Sequence, residues 1–208
     1  MIDNPVRGPF NAWVFAALEG YMHWKYGDLK SRLFEQVPRD VVELGPGSGA
    51  NFRYLPRGTR LIAIEPNGYM HPVLRRRAKQ YGIDLDLRGL AGEKLDVPPA
   101  SVDFIFCSLV LCSVENPEQV IAEVRRVLKP GGRFACIEHV VAPVGSGSHG
   151  VQRLIKKPWK WVFEGCDLCR DTGATLRSSG FAQVDIQALV LPTIIVPIRH
   201  QIAAVCVN

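Results

Sequence analysis

Val41-Val42-Glu43-Leu44-Gly45-Pro46-Gly47-Ser48-Gly49 joins a short apolar run to an acid and then to three glycines at alternate positions. Glycine has no Cβ, so such a turn can bend sharply and let its backbone N–H groups approach a ligand closely. An apolar strand that opens into this kind of loop is the phosphate- or adenosine-facing start of an α/β sheet. The spacing predicts a helix from about Ala50-Asn51-Phe52, with its N-terminus aimed at the same ligand. Where the dinucleotide fingerprint Gly-x-Gly-x-x-Gly has its third glycine, this chain has Ala50, which that pattern tolerates. The loop alone admits both a nicotinamide cofactor and S-adenosylmethionine (SAM).

A second acid narrows the chemistry. Arg60–Glu65 is another apolar run ending in a carboxylate, followed by Pro66-Asn67, and Glu65 lies 20 residues after Gly45. A carboxylate so placed takes the hydroxyls of a ribose. Tyr69 or Met70 could lie against an adenine ring, and the Gly89–Leu95 segment could meet its edge near Ala91 and Gly92, with Glu93 beside them.

The remaining chain supplies the elements that must hold these groups. Residues 9–36 carry Phe10, Trp13, Ala17, Tyr21 and Trp24 at three-to-four spacing and read as helix, with a second helical piece from about Asp28 following Gly27. This segment reads as a lid, as a helix packed on the core, or less readily as an interfacial helix. Val102–Ser108 is nearly all apolar, as in a strand covered on both faces, and Cys107–Ser113 then falls at the carboxyl edge where open α/β sheets bind ligands. Asn116-Pro117 caps a helix that runs to about Leu128. Lys129-Pro130-Gly131-Gly132 turns into a strand Arg133–His139, placing Glu138 and His139 on the ligand edge. Beyond a Gly/Ser/Pro loop come helices over about 151–164 and 171–179. Two final strands on a short connection pair antiparallel.

With 208 residues and 47% apolar content, the chain suits one domain with a sizeable core: a helical cap over 1–38 and a Rossmann-like core over 39–208. No apolar run reaches a membrane-spanning length, no secretory pattern opens the sequence, and six scattered cysteines read as reduced thiols in the cytoplasm. The net charge of +5 is concentrated in runs such as Arg75-Arg76-Arg77 and Lys156-Lys157. These read as solvated helix faces; contact with an anionic membrane is the unfavoured alternative, and aromatics are not interleaved as nucleic-acid binding requires. Nothing in the sequence assigns an oligomeric state.

Taken together, Glu43–Gly49, Ile64–Asn67, Ser101–Asp103, Leu111 and Arg126–Gly132 resemble the class I SAM-dependent methyltransferases. That resemblance implies a doubly wound, mostly parallel seven-stranded sheet with one antiparallel strand, and SAM as cofactor with S-adenosylhomocysteine as product. Further segments are similar to the methyltransferase-like alkyl thiol S-methyltransferases: Gly49–Phe52, Leu109–Val114, Glu138–Val140, Pro158–Cys166 and Leu168-x-Arg170. The animal thiol enzymes carry an apolar N-terminal anchor, where this chain has only an amphipathic helix. By the resemblance, Gly45, Gly47 and Gly49 line the methionine part of the cofactor, and Glu43 holds its amino group. Glu65, with Pro66 and Asn67, takes the ribose. Gly92 and Glu93 sit at the adenine, and Cys107 and Ser108 approach the methionine end.

Methyl transfer from a sulfonium needs a nucleophile held in line and water excluded. A thiol needs only a mild push toward thiolate. His139 is the first candidate base, since an ordinary imidazole titrates near 6.5; Glu138, Asp167 and His23 follow. Trp159, Trp161, Phe163 and Tyr21 could wall an apolar acceptor pocket. Cys166-x-x-Cys169 has no second pair beside it in sequence, so no metal is expected, and Cys112 and Cys136 read as small apolar fillers. Beside S-methylation stand O-methylation of a natural product, N-methylation of a phospholipid, C-methylation of a quinone, and a SAM-binding module without turnover.

Overall fold

In the computed structural model, which describes residues 7–193 and 195–208, strands and helices alternate along the chain. The strands are β1 (Asp40–Leu44), β2 (Arg60–Ile64), β3 (Asp84–Arg88), β4 (Val102–Ser108), β5 (Leu128–His139), β6 (Gln183–Val190) and β7 (His200–Val207). They form one seven-stranded sheet in the order β3-β2-β1-β4-β5-β7-β6. Pairs from β3 to β5 are parallel, and β7 runs antiparallel to both neighbours. This is the doubly wound sheet the resemblance implies. The order reverses between β1 and β4, which opens a crevice at their carboxyl ends.

Both faces are covered. Alternate residues of β1 and β4 point to opposite sides: Val42, Ile105 and Cys107 pack with the helix α3 (Pro117–Val127), while Val41, Phe104 and Phe106 pack with Phe34 and the helix α2 (His71–Tyr81). The other helices are α1 (Arg7–Leu33), α4 (Gly147–Val162) and α5 (Thr172–Ser178). Among the described residues no helix is long and apolar enough to cross a membrane.

Three local expectations are corrected. The glycine loop does not open into an α-helix; it makes a turn and a short 3-10 helix, Phe52–Tyr54. Pro56 holds Leu55 extended at φ −86° and ψ 140°, which stops the helix there. The N-terminal helix is not broken at Gly27 but runs from Arg7 to Leu33. A mid-helix glycine costs only about 1 kcal/mol, and side-chain anchors along α1 outweigh that: Asn11 donates to the Val162 carbonyl (3.0 Å) and Gln201 to the Tyr26 hydroxyl. Lys129–Gly132 is not a turn before β5 but lies inside it. Gly131, at φ +76°, shifts the register between Val102↔Leu128 and Phe104↔Arg133, as a bulge does. Asn116 caps α3 as expected, accepting from Gln119 N–H, with Pro117 at its first turn.

Candidate active site

The glycine loop leaves β1 pinned at both ends. Gly45 N–H donates to Ile64 O (2.9 Å) and Gly49 N–H to Pro46 O (2.8 Å). Gly45 sits at φ +56°, and a Cβ there would fall 2.5 Å from Val110 Cγ2, so the loop after β4 closes directly over it. Gly47 shares φ +56°, yet nothing lies within 4 Å of where its Cβ would be. One glycine is needed for packing and the other leaves open space for a ligand. Alanine at Gly45 is therefore expected to lower the melting temperature sharply. Alanine at Gly47 is expected to cost about 1–2 kcal/mol in backbone strain and to weaken cofactor binding at least about tenfold, because the methyl enters that space. Thermal melts and calorimetric titration with SAM separate the two.

Glu43 and Glu65 face this loop from β1 and β2. Glu43 is 1% exposed. Its Oε1 accepts from Asn51 Nδ2 (2.7 Å), and Asn51 Oδ1 in turn accepts from Lys30 Nζ of α1 (2.6 Å). Its Oε2 is buried with no partner. Burial pushes the Glu43 carboxyl up to about 8, with Asn51 and the Lys30 charge opposing. Glu65 Oε2 accepts from Gly47 N–H and Oε1 from Asn67 N–H, both at 2.9 Å. Each oxygen keeps a further lone pair for a hydroxyl donor. Burial raises the Glu65 carboxyl, against the two backbone N–H bonds.

The neighbouring positions divide. Asn67 is buried; its side chain accepts from Tyr69 N–H and donates to Glu164 Oε1 (2.9 Å). Tyr69 lies at the surface, close against Gly8 of α1. Met70 lies in the core beneath α2, so of the two residues offered to the adenine only Tyr69 faces outward. Gly92 packs toward Val120. Glu93 Oε1 accepts from Glu115 and Asn116 N–H, at 3.2 and 3.4 Å, so its carboxylate braces the start of α3. Ser108 Oγ lies 3.3 Å from Asn51 Nδ2, beside Glu43.

The candidate bases also separate. Glu138 is fully buried, and its carboxylate accepts from the N–H groups of Val110 (2.8 Å), Leu111 (2.9 Å) and Cys112 (3.2 Å), with Cys107 Sγ at 3.5 Å. Burial raises its carboxyl, against those N–H bonds. Asp167 is engaged by Cys169 N–H (2.9 Å) and Lys156 Nζ (3.0 Å), which hold it low against its burial. His23 bonds the Tyr54 hydroxyl at an exposed position on α1.

His139 ends β5, and its Nε2 lies 2.9 Å from Cys166 Sγ; Nδ1 is buried without a partner. Trp159 Nε1 also donates to Cys166 Sγ (3.1 Å), and its ring packs on Phe163 at 4.3 Å between centroids. Trp161 points to solvent. Cys112 completes the group: one ligand atom each from Cys112, His139 and Cys166 lie within 4.8 Å of one another. The Cys112 thiol, ahead of His139 and Trp159, holds the Cys166 thiol down to about 5 against its burial. Burial pulls His139 down, but Cys166 outweighs it and leaves the imidazole raised. Sequence reasoning missed this cluster, because its members are 27 residues apart in each step along the chain.

Residues 42–136 match the family model described as a methyltransferase domain. The chain is 32% identical over 195 residues to the rat thiol S-methyltransferase TMT1B, covering 88% of this chain and 80% of that one. The chain belongs to the thiol S-methyltransferase family of class I SAM-dependent methyltransferases. It is 35% identical over 155 residues to the human thiol S-methyltransferase TMT1A, covering 73% and 64% of the two chains. Its fold matches that of a SAM-dependent methyltransferase from Aquifex aeolicus, with TM-score 0.65 at 15% identity over 94% and 97% of the two chains. The protein is an enzyme that uses SAM to methylate a small molecule, with S-adenosylhomocysteine as product. The residues around the loop fit that cofactor: the partnerless Glu43 Oε2 suits its ammonium, and the open space beside Gly47 suits its approach.

Proposed function

We propose that this chain S-methylates a small-molecule thiol. The observation that carries the reading is the likeness to thiol S-methyltransferases along most of both chains. The soft cluster Cys112–His139–Cys166 at the carboxyl edge of the sheet supports it, since a sulfur acceptor matches such surroundings. SAM supplies a methyl group on a sulfonium, already a good leaving group. The chain's own residues bind, orient and exclude water. Glu43 takes the ammonium and Glu65 the ribose hydroxyls, steadied by Pro66 and Asn67. Gly45, Gly47 and Gly49 shape the floor. Cys107 and Ser108 border the methionine end, while Gly92 and Glu93 border the adenine, Glu93 through the turn it braces. His139 works at the acceptor end, and Glu138 and Asp167 position the loops around it. In this reading residues 1–208 form one domain, with 1–38 as a cap of which 1–6 lie outside the described residues, and the free thiols of the six cysteines suit the reducing cytoplasm.

S-adenosylhomocysteine release by purified protein, with SAM and a panel of thiols, phenols, quinols and phosphatidylethanolamine, tests the acceptor. Turnover confined to thiols is expected. Turnover on phenols, quinols or lipid alone would sink the thiol reading and keep the cofactor.

The pH dependence of cofactor binding follows from Glu43. Its carboxyl titrates near 8 when the ammonium is absent, and only its ionised form attracts that ammonium. Binding therefore releases a proton below about pH 8. Affinity is expected to rise by up to about tenfold per pH unit below that value and to fall again where the cofactor's own ammonium, ordinarily near 8, deprotonates. Calorimetry in two buffers of different ionisation enthalpy reads the proton released. In Glu43→Gln both the release and the slope should vanish.

A further inference from the structure

We propose that Cys112, His139 and Cys166 bind one Zn2+ ion and leave a fourth coordination position open to the acceptor sulfur. The acceptor part rests on the thiol reading above; the metal part does not.

Two thiol sulfurs and an imidazole, all buried, meet with their ligand atoms within 4.8 Å of one another. Soft sulfur with imidazole is a donor set for Zn2+. The ligands come from three segments that are clamped together. Cys112 has its N–H on Glu138 and its carbonyl on Asp167 N–H (2.8 Å). Arg170 Nη1 ties the same loop through the carbonyls of Leu111 and Val114. His139 adjoins Glu138 on β5, and Cys166 is fixed by its N–H to Phe163 O (2.9 Å). The Trp159 indole N–H on Cys166 Sγ is the outer-layer bond that steadies a sulfur ligand. A plain core position would be filled by apolar side chains. Here an imidazole nitrogen, His139 Nε2, faces the Cys166 sulfur at 2.9 Å instead.

Among the described residues the nearby donors are already engaged, so no protein group is offered as a fourth ligand. Glu138 accepts three backbone N–H bonds, and Asp167 is held by Cys169 N–H and Lys156. Cys169, whose spacing from Cys166 drew attention in the sequence, is not in the cluster. Three protein ligands and one vacancy are the pattern of a catalytic zinc site, whereas structural sites have four protein ligands. A thiol that enters the vacancy forms a sulfur–zinc bond and loses its S–H proton to solvent water. The sulfur then forms its bond to the methyl carbon as the carbon–sulfonium bond breaks, with that electron pair passing to the cofactor sulfur. No electrons leave the system, and the uncharged thioether product is a weak ligand that can depart. His139 is in this scheme a ligand and not a base, where the sequence reading expected no metal.

The test uses untagged full-length protein, stripped with a chelator under reducing conditions and titrated with Zn2+ against a chromogenic competitor. One Zn2+ per chain is expected, with binding weakened at least about 100-fold in Cys112→Ser and in Cys166→Ser and unchanged in Cys169→Ser. Titration with Co2+ should give thiolate-to-metal charge-transfer absorption that is lost in the same two variants. SAM affinity, read separately, should stay near wild type in all three and so reports folding. Wild-type protein that binds no Zn2+ overturns the proposal without any variant. Thiol methylation at full kcat by metal-free protein overturns it as well. Stoichiometric Zn2+ without thiol turnover supports the metal site and refutes the acceptor reading instead.

Discussion

Glu65→Ala is expected to weaken SAM binding at least about 100-fold while leaving the protein folded. Two effects combine. The carboxylate sits at the end of β2 with a free lone pair on each oxygen, and hydrogen bonds from ribose hydroxyls to a charged acceptor contribute about 1.5–3 kcal/mol each. The same oxygens receive the N–H groups of Gly47 and Asn67, so the substitution also frees the glycine loop from the turn after β2. Glu65→Gln keeps one acceptor oxygen and should fall between wild type and alanine. Calorimetric titration with SAM reads the loss, and a thermal melt separates it from unfolding. Unchanged affinity in the alanine variant would refute the ribose assignment. A parallel loss for S-adenosylhomocysteine is expected, because the ribose is common to both.

Much of this architecture is legible in the sequence where local chemistry dictates local structure. Alternating glycines after an apolar strand, an acid at the end of the next strand, and Asn116-Pro117 each leave a mark within a few residues. What stayed hidden depends on partners distant along the chain. Pro56 ends the turn after the glycine loop before an α-helix can form, a conflict between two local signals in which the proline prevails. Gly27 reads as a break, but α1 gains its continuity from Val162 and Gln201, far along the chain. The cluster at the acceptor end shows the same limit more strongly. Cys166-x-x-Cys169 is a visible spacing, yet the structure brings Cys166 together with Cys112 and His139 and leaves Cys169 out of the group. Cys112 and His139 reach Cys166 only because β4 and β5 are adjacent and the turn after α4 folds back onto both. Glu138 is likewise a candidate base by position, and its bracing role toward three backbone donors is visible only in the structure.

That role makes Glu138→Ala the most damaging single change expected outside the hydrophobic core. The carboxylate is fully buried and holds the N–H groups of Val110, Leu111 and Cys112 as the chain turns away from β4, where Leu109 is held at φ +60°. Removing it leaves two buried donors, Leu111 and Cys112 N–H, and the part-buried Val110 N–H without partners, at about 1–3 kcal/mol for each buried one. A loss of about 3–5 kcal/mol, or about 10 °C or more in melting temperature for a chain of this size, is expected. Glu138→Gln distinguishes bracing from proton transfer. An amide oxygen in the place of Oε1 keeps the bonds to Val110 and Leu111 and loses only that to Cys112. If Glu138 braces, the glutamine variant should melt between wild type and alanine and retain kcat within about tenfold at a temperature below its melt; general acid–base work is worth about 100-fold or more, so a proton-transfer role would cost more than that. A glutamine variant that melts like wild type yet has lost turnover would return Glu138 to the chemistry. The loop is shared: Val110 closes over Gly45 on one side, and Cys112 faces His139 and Cys166 on the other. Loosening it should therefore weaken cofactor binding and acceptor turnover together, a joint loss that neither Gly47→Ala nor Cys166→Ser should produce.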